Sequence, residues 1–288
     1  MRTQELAPAK INLALDILGR RADGYHELRM VMQTVSLCDV ITVEEGGTGF
    51  TLLTGEAFSL PADKVSMEQR AAEAFFAALG VPVPPLTVRL EKNIPAFAGL
   101  GGGSADVAAL LRCLRRLYAA GMPDEALRAI GLTVGSDVPF CVSGGTSLAE
   151  GRGERLTDLP PLPVCQIVLC KPDFGISTPE LFVLADGAVL SKRPDIASLT
   201  AALQGGELTG VTDRLCNVFE EFLPERYREV FRIKEILLAH GALNAAMSGS
   251  GPTVYGIFES AAEAQRAAEV MKKSYQQTYV AKPVKKLV

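Results

Sequence analysis

Gly99-Leu100-Gly101-Gly102-Gly103-Ser104 limits what this chain can fold into more than any other feature. The segment follows an alternating run, Leu86 to Leu90, and precedes a run with Val107, Ala108, Leu110, Leu111, Leu114 and Leu117. Alternation reads as a strand and the three-and-four spacing as a helix, so the glycines turn one into the other, with Ser104 expected to cap the helix. Four glycines in five positions let backbone N–H groups approach an anion without interference from Cβ atoms, and the helix dipole adds positive charge there. Phosphate is the natural occupant. The segment is neither a Walker loop nor G-x-G-x-x-G, and for the glycines alone a close-packed turn is an equally good reading.

Elsewhere the pattern is mixed. Lys10 to Leu18 alternates and predicts a strand with one buried face and one carrying Lys10, Asn12 and Asp16 together. After a charged turn, Arg20 to Gly24, β-rich segments are expected at Met30 to Val43 and Gly49 to Thr54, then a helix at about Val65 to Leu79 and a second at Asp124 to Ile130. The Pro-rich stretch Leu159 to Pro163 reads as a linker, dividing the chain into domains at 1–159 and 160–288. Beyond it come a strand at Val164 to Cys170, helices between Pro179 and Ala239, a glycine turn within Met247 to Thr253, a strand to Phe258, a helix to Lys273 and a last strand near Tyr279 to Val284. Strands and helices segregate rather than alternate strictly, which predicts an α+β fold rather than a doubly wound sheet.

Composition mainly excludes. No apolar run is long enough to span a bilayer, and a net charge of −4 disfavours a nucleic-acid surface. Arg112, Arg115 and Arg116 at helical spacing are expected to form a solvated face. The six cysteines are scattered without a C-x-x-C pair and read as buried thiols, not a zinc site. Met1 to Glu5 has no apolar stretch of a secretory signal, so the expected location is the cytoplasm, with no obligate protein partner evident. His240, ahead of Gly241, is explained by a helix end.

Three segments together resemble the galactokinase, homoserine kinase, mevalonate kinase and phosphomevalonate kinase superfamily, called GHMP. Lys92 to Asp106, with the glycines at its centre, is similar to the second superfamily motif. Pro8-Ala9-Lys10-Ile11-Asn12-Leu13 with Gly24-Tyr25-His26-Glu27-Leu28 resembles the first, and Met247-Ser248-Gly249-Ser250-Gly251-Pro252-Thr253-Val254 the third. The resemblance runs from Ala7 to Phe258 and is strongest, through Asp23-Gly24-Tyr25-His26, to the branch whose acceptor is a cytidine diphosphate methylerythritol. It implies a two-domain GHMP-kinase-like fold, with an N-terminal nucleotide-binding domain, a C-terminal α+β domain and the active site in the cleft between them.

It also implies roles. ATP phosphates would lie on Pro95-Ala96-Phe97-Ala98-Gly99-Leu100-Gly101-Gly102-Gly103-Ser104-Ala105, with Mg²⁺ near the Ser104 hydroxyl. Asp137, in Gly135-Ser136-Asp137-Val138-Pro139, would be the base that takes the acceptor's proton, and Lys10 would stabilise the alkoxide. From position alone an ordinary turn or N-cap aspartate is the better reading of Asp137, and the resemblance reverses that. Asn12, Tyr25, His26, Phe182, Gly249 and Ser250 would bind the acceptor, Tyr25 and His26 at cytosine with Phe182 as a second stacking wall. Asn217 resembles a family asparagine but receives no role. The family usually has Asn-Leu before an Arg-Ala-Ala helix start, whereas this chain reads Pro61-Ala62-Asp63-Lys64-Val65-Ser66-Met67, so an altered adenine pocket is expected. The competing readings are a superfamily kinase for homoserine, mevalonate or a sugar, and a nucleotide-binding regulator without turnover. Tyr25 and His26 weigh against the first, and the pair Lys10 and Asp137 against the second.

Overall fold

The computed structural model describes residues 1–55 and 65–287; Pro61 to Lys64, and with them the expected change in the adenine pocket, lie outside the described residues. The first part of the chain forms β1 (Arg2–Arg20), β2 (His26–Glu45), β3 (Phe50–Thr54), α1 (Met67–Ala78), β4 (Leu86–Glu91), α2 (Gly102–Tyr118), α3 (Asp124–Leu132), α4 (Val138–Ser143), β5 (Thr146–Gly151) and β6 (Arg155–Asp158). The remainder forms β7 (Gln166–Lys171), α5 (Thr178–Gly187), α6 (Ile196–Gly205), α7 (Leu208–Thr212), β8 (Cys216–Asn217), α8 (Glu229–Ala239), β9 (Asn244–Met247), β10 (Val254–Phe258), α9 (Ala261–Lys272) and β11 (Gln277–Ala281).

Two sheets result. A seven-stranded sheet runs β3-β4-β2-β1-β8, with β5 and β6 added along β2; a four-stranded sheet runs β11-β7-β10-β9. Most pairs are antiparallel, as an α+β fold requires, and only β3–β4 and β1–β8 run parallel. Helix α2 packs on β1 and β2 while α1, α3 and α4 cover its other side. It is therefore covered on most sides, with Ala105 to Leu114 buried, the charged Asp106 and Arg112 among them. Helices α8 and α9 pack on the second sheet. The sheets change over between β6 and β7, across the Pro-rich stretch. That stretch is no free linker, because Leu162 is buried and its N–H donates to Thr146 Oγ1 (3.3 Å).

Several expectations need correcting. Strand β1 is not half-buried: both faces are covered from Ala7 to Ile17. Its pairing with β2 shifts register between Asn12 and Ala14, so Lys10, Asn12 and Leu15 stand opposite Thr34, Met32 and Met30. The extra residue at the bulge reverses the alternation, and Asp16 faces away from Lys10 to pair with Arg193 at 2.8 Å. Arg112 is not solvated. Its guanidinium is buried and donates to the carbonyls of Leu6 and Cys141 (both 2.8 Å), tying β1 to α4. The last strand ends at Ala281, after which the chain returns to the first sheet, where the Val284 N–H donates to Thr34 O and that of Leu287 to Ser143 O. β5 and β6 went unrecognised in the sequence. Among the described residues no helix is long and apolar enough to cross a membrane.

The sheets are joined through fully buried Tyr255 on β10, whose hydroxyl donates to the Asn12 carbonyl on β1 (2.8 Å). Tyr255→Phe removes that bond while keeping the ring. It is expected to cost about 1 kcal/mol, read as a fall in Tm of about 2–4 °C; an unchanged Tm would show that the bond contributes nothing net.

Candidate active site

A cavity of about 1090 Å³ lies where the two sheets meet. Its wall includes Lys10, Tyr25, His26, Phe97, Gly99, Gly101, Ser104, Asp137, Phe182, Gly249 and Ser250, so residues from all three sequence motifs converge on one space. Asn12 touches Lys10 at its edge. Ala98, Leu100 and Ala105 are buried in the core and do not line the cavity. Pro95, Ala96, Gly102 and Gly103 do not line the cavity, although the last two form the first turn of α2.

Lys10 is the meeting point. Its ammonium is buried, donates to Asn12 Oδ1 (2.8 Å) and lies 3.4 Å from Asp137 Oδ2. Asn12 in turn donates through Nδ2 to Met30 Sδ (3.4 Å). A buried ammonium needs such partners, since an unpaired charge away from water is strongly disfavoured. Asp137 occupies the N-cap position of α4 but makes no capping bond, leaving its carboxylate to Lys10 and the cavity.

The glycine loop is shaped as much by its protein neighbours as by any ligand. A Cβ on Gly101 would come within 2.9 Å of Lys10 Cγ, and one on Gly99 within 2.1 Å of the Ser248 carbonyl; both residues have positive φ. The Leu100 carbonyl accepts from the Lys10 N–H (2.9 Å), and the Gly99 carbonyl accepts from the Ser248 hydroxyl (2.9 Å). Ser104 is not the helix cap. The helix begins at Gly102 behind a left-handed Gly101, which places Ser104 inside the first turn with its hydroxyl toward the cavity. Phe97 is a non-glycine residue with φ 51° and its side chain is 83% exposed at the cavity mouth.

Asn217 went without a role in the sequence, yet it secures the third motif. Its buried Nδ2 donates to the carbonyls of Met247 and Gly249, both at 2.8 Å, holding the loop between β9 and β10 against Lys10. Only a lone asparagine in Leu215-Cys216-Asn217 could have signalled this. At the far end, Phe182 stacks on His26 with ring centroids 4.6 Å apart, so no base fits between those two rings. The Tyr25 ring is half exposed and carries the Arg152 guanidinium at 4.6 Å. Thr178 and Ser250 join hydroxyl to hydroxyl (2.6 Å) across the cleft.

Beneath the glycine loop sits a second charged cluster that sequence reasoning missed. Buried Asp39 accepts from the N–H groups of Asn93 (2.5 Å) and Ile94 (2.7 Å), fixing the path from β4 into the loop, and also from Lys92. Lys92 donates as well to Asp106 on α2 (2.7 Å), whose Oδ1 is buried without a partner. One ammonium cannot neutralise two carboxylates. Burial, against the pull of Lys92 and helped by the charge of Asp39, pushes Asp106 up to about 8. Burial opposes the Lys92 charge too, but the carboxylates outweigh it and hold Lys92 above its ordinary value.

The family profile described as GHMP kinases N terminal domain matches residues 67–145, and that described as GHMP kinases C terminal matches 195–277. The chain is 39% identical over 266 residues to a 4-diphosphocytidyl-2-C-methyl-D-erythritol kinase of Caldicellulosiruptor bescii, covering 92% of this chain and 93% of the relative. It is 37% identical to the Clostridium acetobutylicum protein of the same name, covering 96% and 99%. A crystal structure of a 4-(cytidine 5'-diphospho)-2C-methyl-D-erythritol kinase matches with a TM-score of 0.82 at 32% identity, covering 98% and 99%. Homoserine kinase from Cytophaga hutchinsonii shares the fold, with a TM-score of 0.76 at 20% identity, covering 99% and 95%.

Two outcomes follow for stability. Gly99→Ala should lower stability by more than about 2 kcal/mol, through the clash with Ser248 and the left-handed backbone, whereas Gly121→Ala, with nothing within 4 Å of its Cβ, should not. Equal thermal unfolding of the two variants would remove the argument from close approach. For Asp106 the folded carboxyl binds its proton up to about 8 while the unfolded one loses it near 3.8. The wild type therefore loses stability from this group as pH rises through that window. Asp106→Asn lacks the loss, so denaturant titrations should show the variant gaining on the wild type between about pH 4 and pH 8, then levelling. A gain in the opposite direction would mean that the ion pair with Lys92 dominates.

Proposed function

As the chain belongs to the 4-diphosphocytidyl-2-C-methyl-D-erythritol kinase family of the GHMP kinases, we infer that it transfers the γ-phosphate of ATP to the 2-hydroxyl of 4-diphosphocytidyl-2-C-methyl-D-erythritol, a step of non-mevalonate isoprenoid synthesis. One observation carries the chemical assignment: an ammonium paired with an uncapped carboxylate, Lys10 with Asp137, beside the N-terminus of a glycine-led helix.

Phosphoryl transfer needs positioning and charge stabilisation more than covalent chemistry from the protein. The N–H groups at the start of α2 have no partners within the helix and would take the ATP phosphates, with the dipole favouring their charge. Asp137 would accept the proton of the acceptor hydroxyl as its oxygen bonds to phosphorus, and Lys10, 3.4 Å away, would hold the developing negative oxygen. Asn12 keeps the ammonium aimed between the glycine loops. Tyr25 would stack on the cytosine, His26 would read its edge, and Arg152 would meet the acceptor's diphosphate. Phe182 supports this wall through its stacking on His26. Residues from 160 onward supply Phe182, Gly249 and Ser250, and so close the cleft over the nucleotide half.

Mg²⁺ fits this site as a companion of the phosphates. Among the described residues no group of three or more His, Cys, Asp or Glu side chains could hold a metal ion. The Ser104 hydroxyl in the cavity wall would be the protein ligand, and phosphate oxygens and water would complete the shell. When bound, the ion neutralises phosphate charge.

The test is ADP release with ATP and, separately, the cytidylyl methylerythritol, homoserine, mevalonate and galactose. Turnover is expected with the first alone, and preference for any other would replace this reading. Lys10→Met should keep the fold by circular dichroism and reduce kcat by roughly a hundredfold or more; near-normal turnover would remove Lys10 from the chemistry.

A further inference from the structure

Helix α5 brings two side chains, one turn apart, onto a single imidazole. Phe182 stacks on the face of His26, with centroids 4.6 Å apart and planes inclined by 18°. Asp186, four residues on, sets Oδ1 at 2.8 Å from His26 Nε2. Residues at this spacing share a helix face, so a single element supplies both contacts. Arg20 holds the other carboxylate oxygen of Asp186 at 3.5 Å. All four side chains line the cavity.

A carboxylate only accepts hydrogen bonds, so the ring atom facing it must donate. The proton therefore sits on Nε2, and in the neutral form of the ring this tautomer leaves the free lone pair on Nδ1. Among the described residues Nδ1 has no hydrogen-bond partner. Cytosine and uracil differ at this kind of atom: cytosine bears an amino group at C4, where uracil has a carbonyl oxygen. An acceptor at Nδ1 satisfies the amino group and sets lone pair against lone pair for the carbonyl.

We propose that Asp186 is a specificity-determining positioning residue, which holds His26 as the Nε2–H tautomer so that Nδ1 accepts from the 4-amino group of the acceptor's pyrimidine and rejects a 4-oxo pyrimidine. The inference rests on the cytidylyl acceptor reading above. Asp186 touches no reacting atom; it acts through His26, with Arg20 keeping the carboxylate in place and Phe182 keeping the ring from turning.

The experiment has two readouts. The first is the tautomer of His26 by nitrogen-15 NMR of the full-length protein, made tractable because the chain has only two histidines, the other removed by His240→Gln. The expected wild-type signal is Nε2–H, giving way to a mixture in Asp186→Ala; an Nδ1–H tautomer or a doubly protonated ring in the wild type would overturn the proposal without any variant. The second is kcat/KM for the cytidine and uridine forms of the diphosphate acceptor. The wild type should favour cytidine by about a hundredfold or more, and Asp186→Ala should cut that ratio at least about tenfold, with the loss in KM rather than kcat. Asp186→Asn, whose side-chain oxygen can still accept from Nε2, should retain most of the preference. An unchanged ratio in an active Asp186→Ala enzyme overturns the specificity role alone. A wild type that phosphorylates neither compound overturns the acceptor reading and this proposal with it.

Discussion

The buried ammonium of Lys10 is the constraint around which the rest is arranged. Removing such a charge from water is costly unless it meets a carboxylate and further acceptors in good geometry. Asp137 at the head of α4 and Asn12 on the same strand meet that need, and both glycine loops must then pass close to the lysine stem. β1, α2, α4 and the β9–β10 turn are thus drawn together by one side chain. The proposed catalytic geometry and the packing rest on the same contacts, because the groups that lower the energy of the buried ammonium are those proposed to meet a phosphoryl acceptor.

This changes the meaning of the glycines. A glycine-rich helix start invites the explanation that backbone must approach phosphate, and α2 does offer its N-terminus. Yet Gly99 and Gly101 already have protein atoms where a Cβ would stand: the Ser248 carbonyl for one and the Lys10 stem for the other. The loop is kept free of side chains so that three segments distant in sequence can touch. Beneath it, Asp39 secures the path from β4 into the loop, and Lys92 ties that anchor to α2. The glycine loop therefore stands on a charged foundation as well as an apolar one.

The local grammar of the chain was legible. Periodicity located the long helices and most strands, and the strand-to-helix turn stood where the glycines put it. Among the features that escaped are four side chains, three of them governed by distant contacts and one, Ser104, by the backbone just ahead of it. Asp16 was assigned to the face of Lys10 because alternation assumes an unbroken ladder, and a bulge at Leu13 reverses it. Arg112 looked solvated because helical spacing cannot reveal that the carbonyls of Leu6 and Cys141 wait on its other side. Ser104 resembled a cap, but a left-handed Gly101 starts the helix earlier. Asn217 looked unremarkable because its two acceptors lie about thirty residues away in the chain.

By itself the sequence offered a candidate anion site at the start of α2, and its resemblance to the GHMP motifs picked out one lysine, one aspartate and an aromatic-histidine pair. The strand-to-helix turn follows from backbone sterics and periodicity, which act over a few residues. Tertiary structure alone decided that Lys10 and Asp137 stand 3.4 Å apart, that Phe182 supports His26, and that Asp186 faces Nε2 of that ring. Those are contacts between segments more than a hundred residues apart, and only the packing of the two sheets around a common cavity sets them.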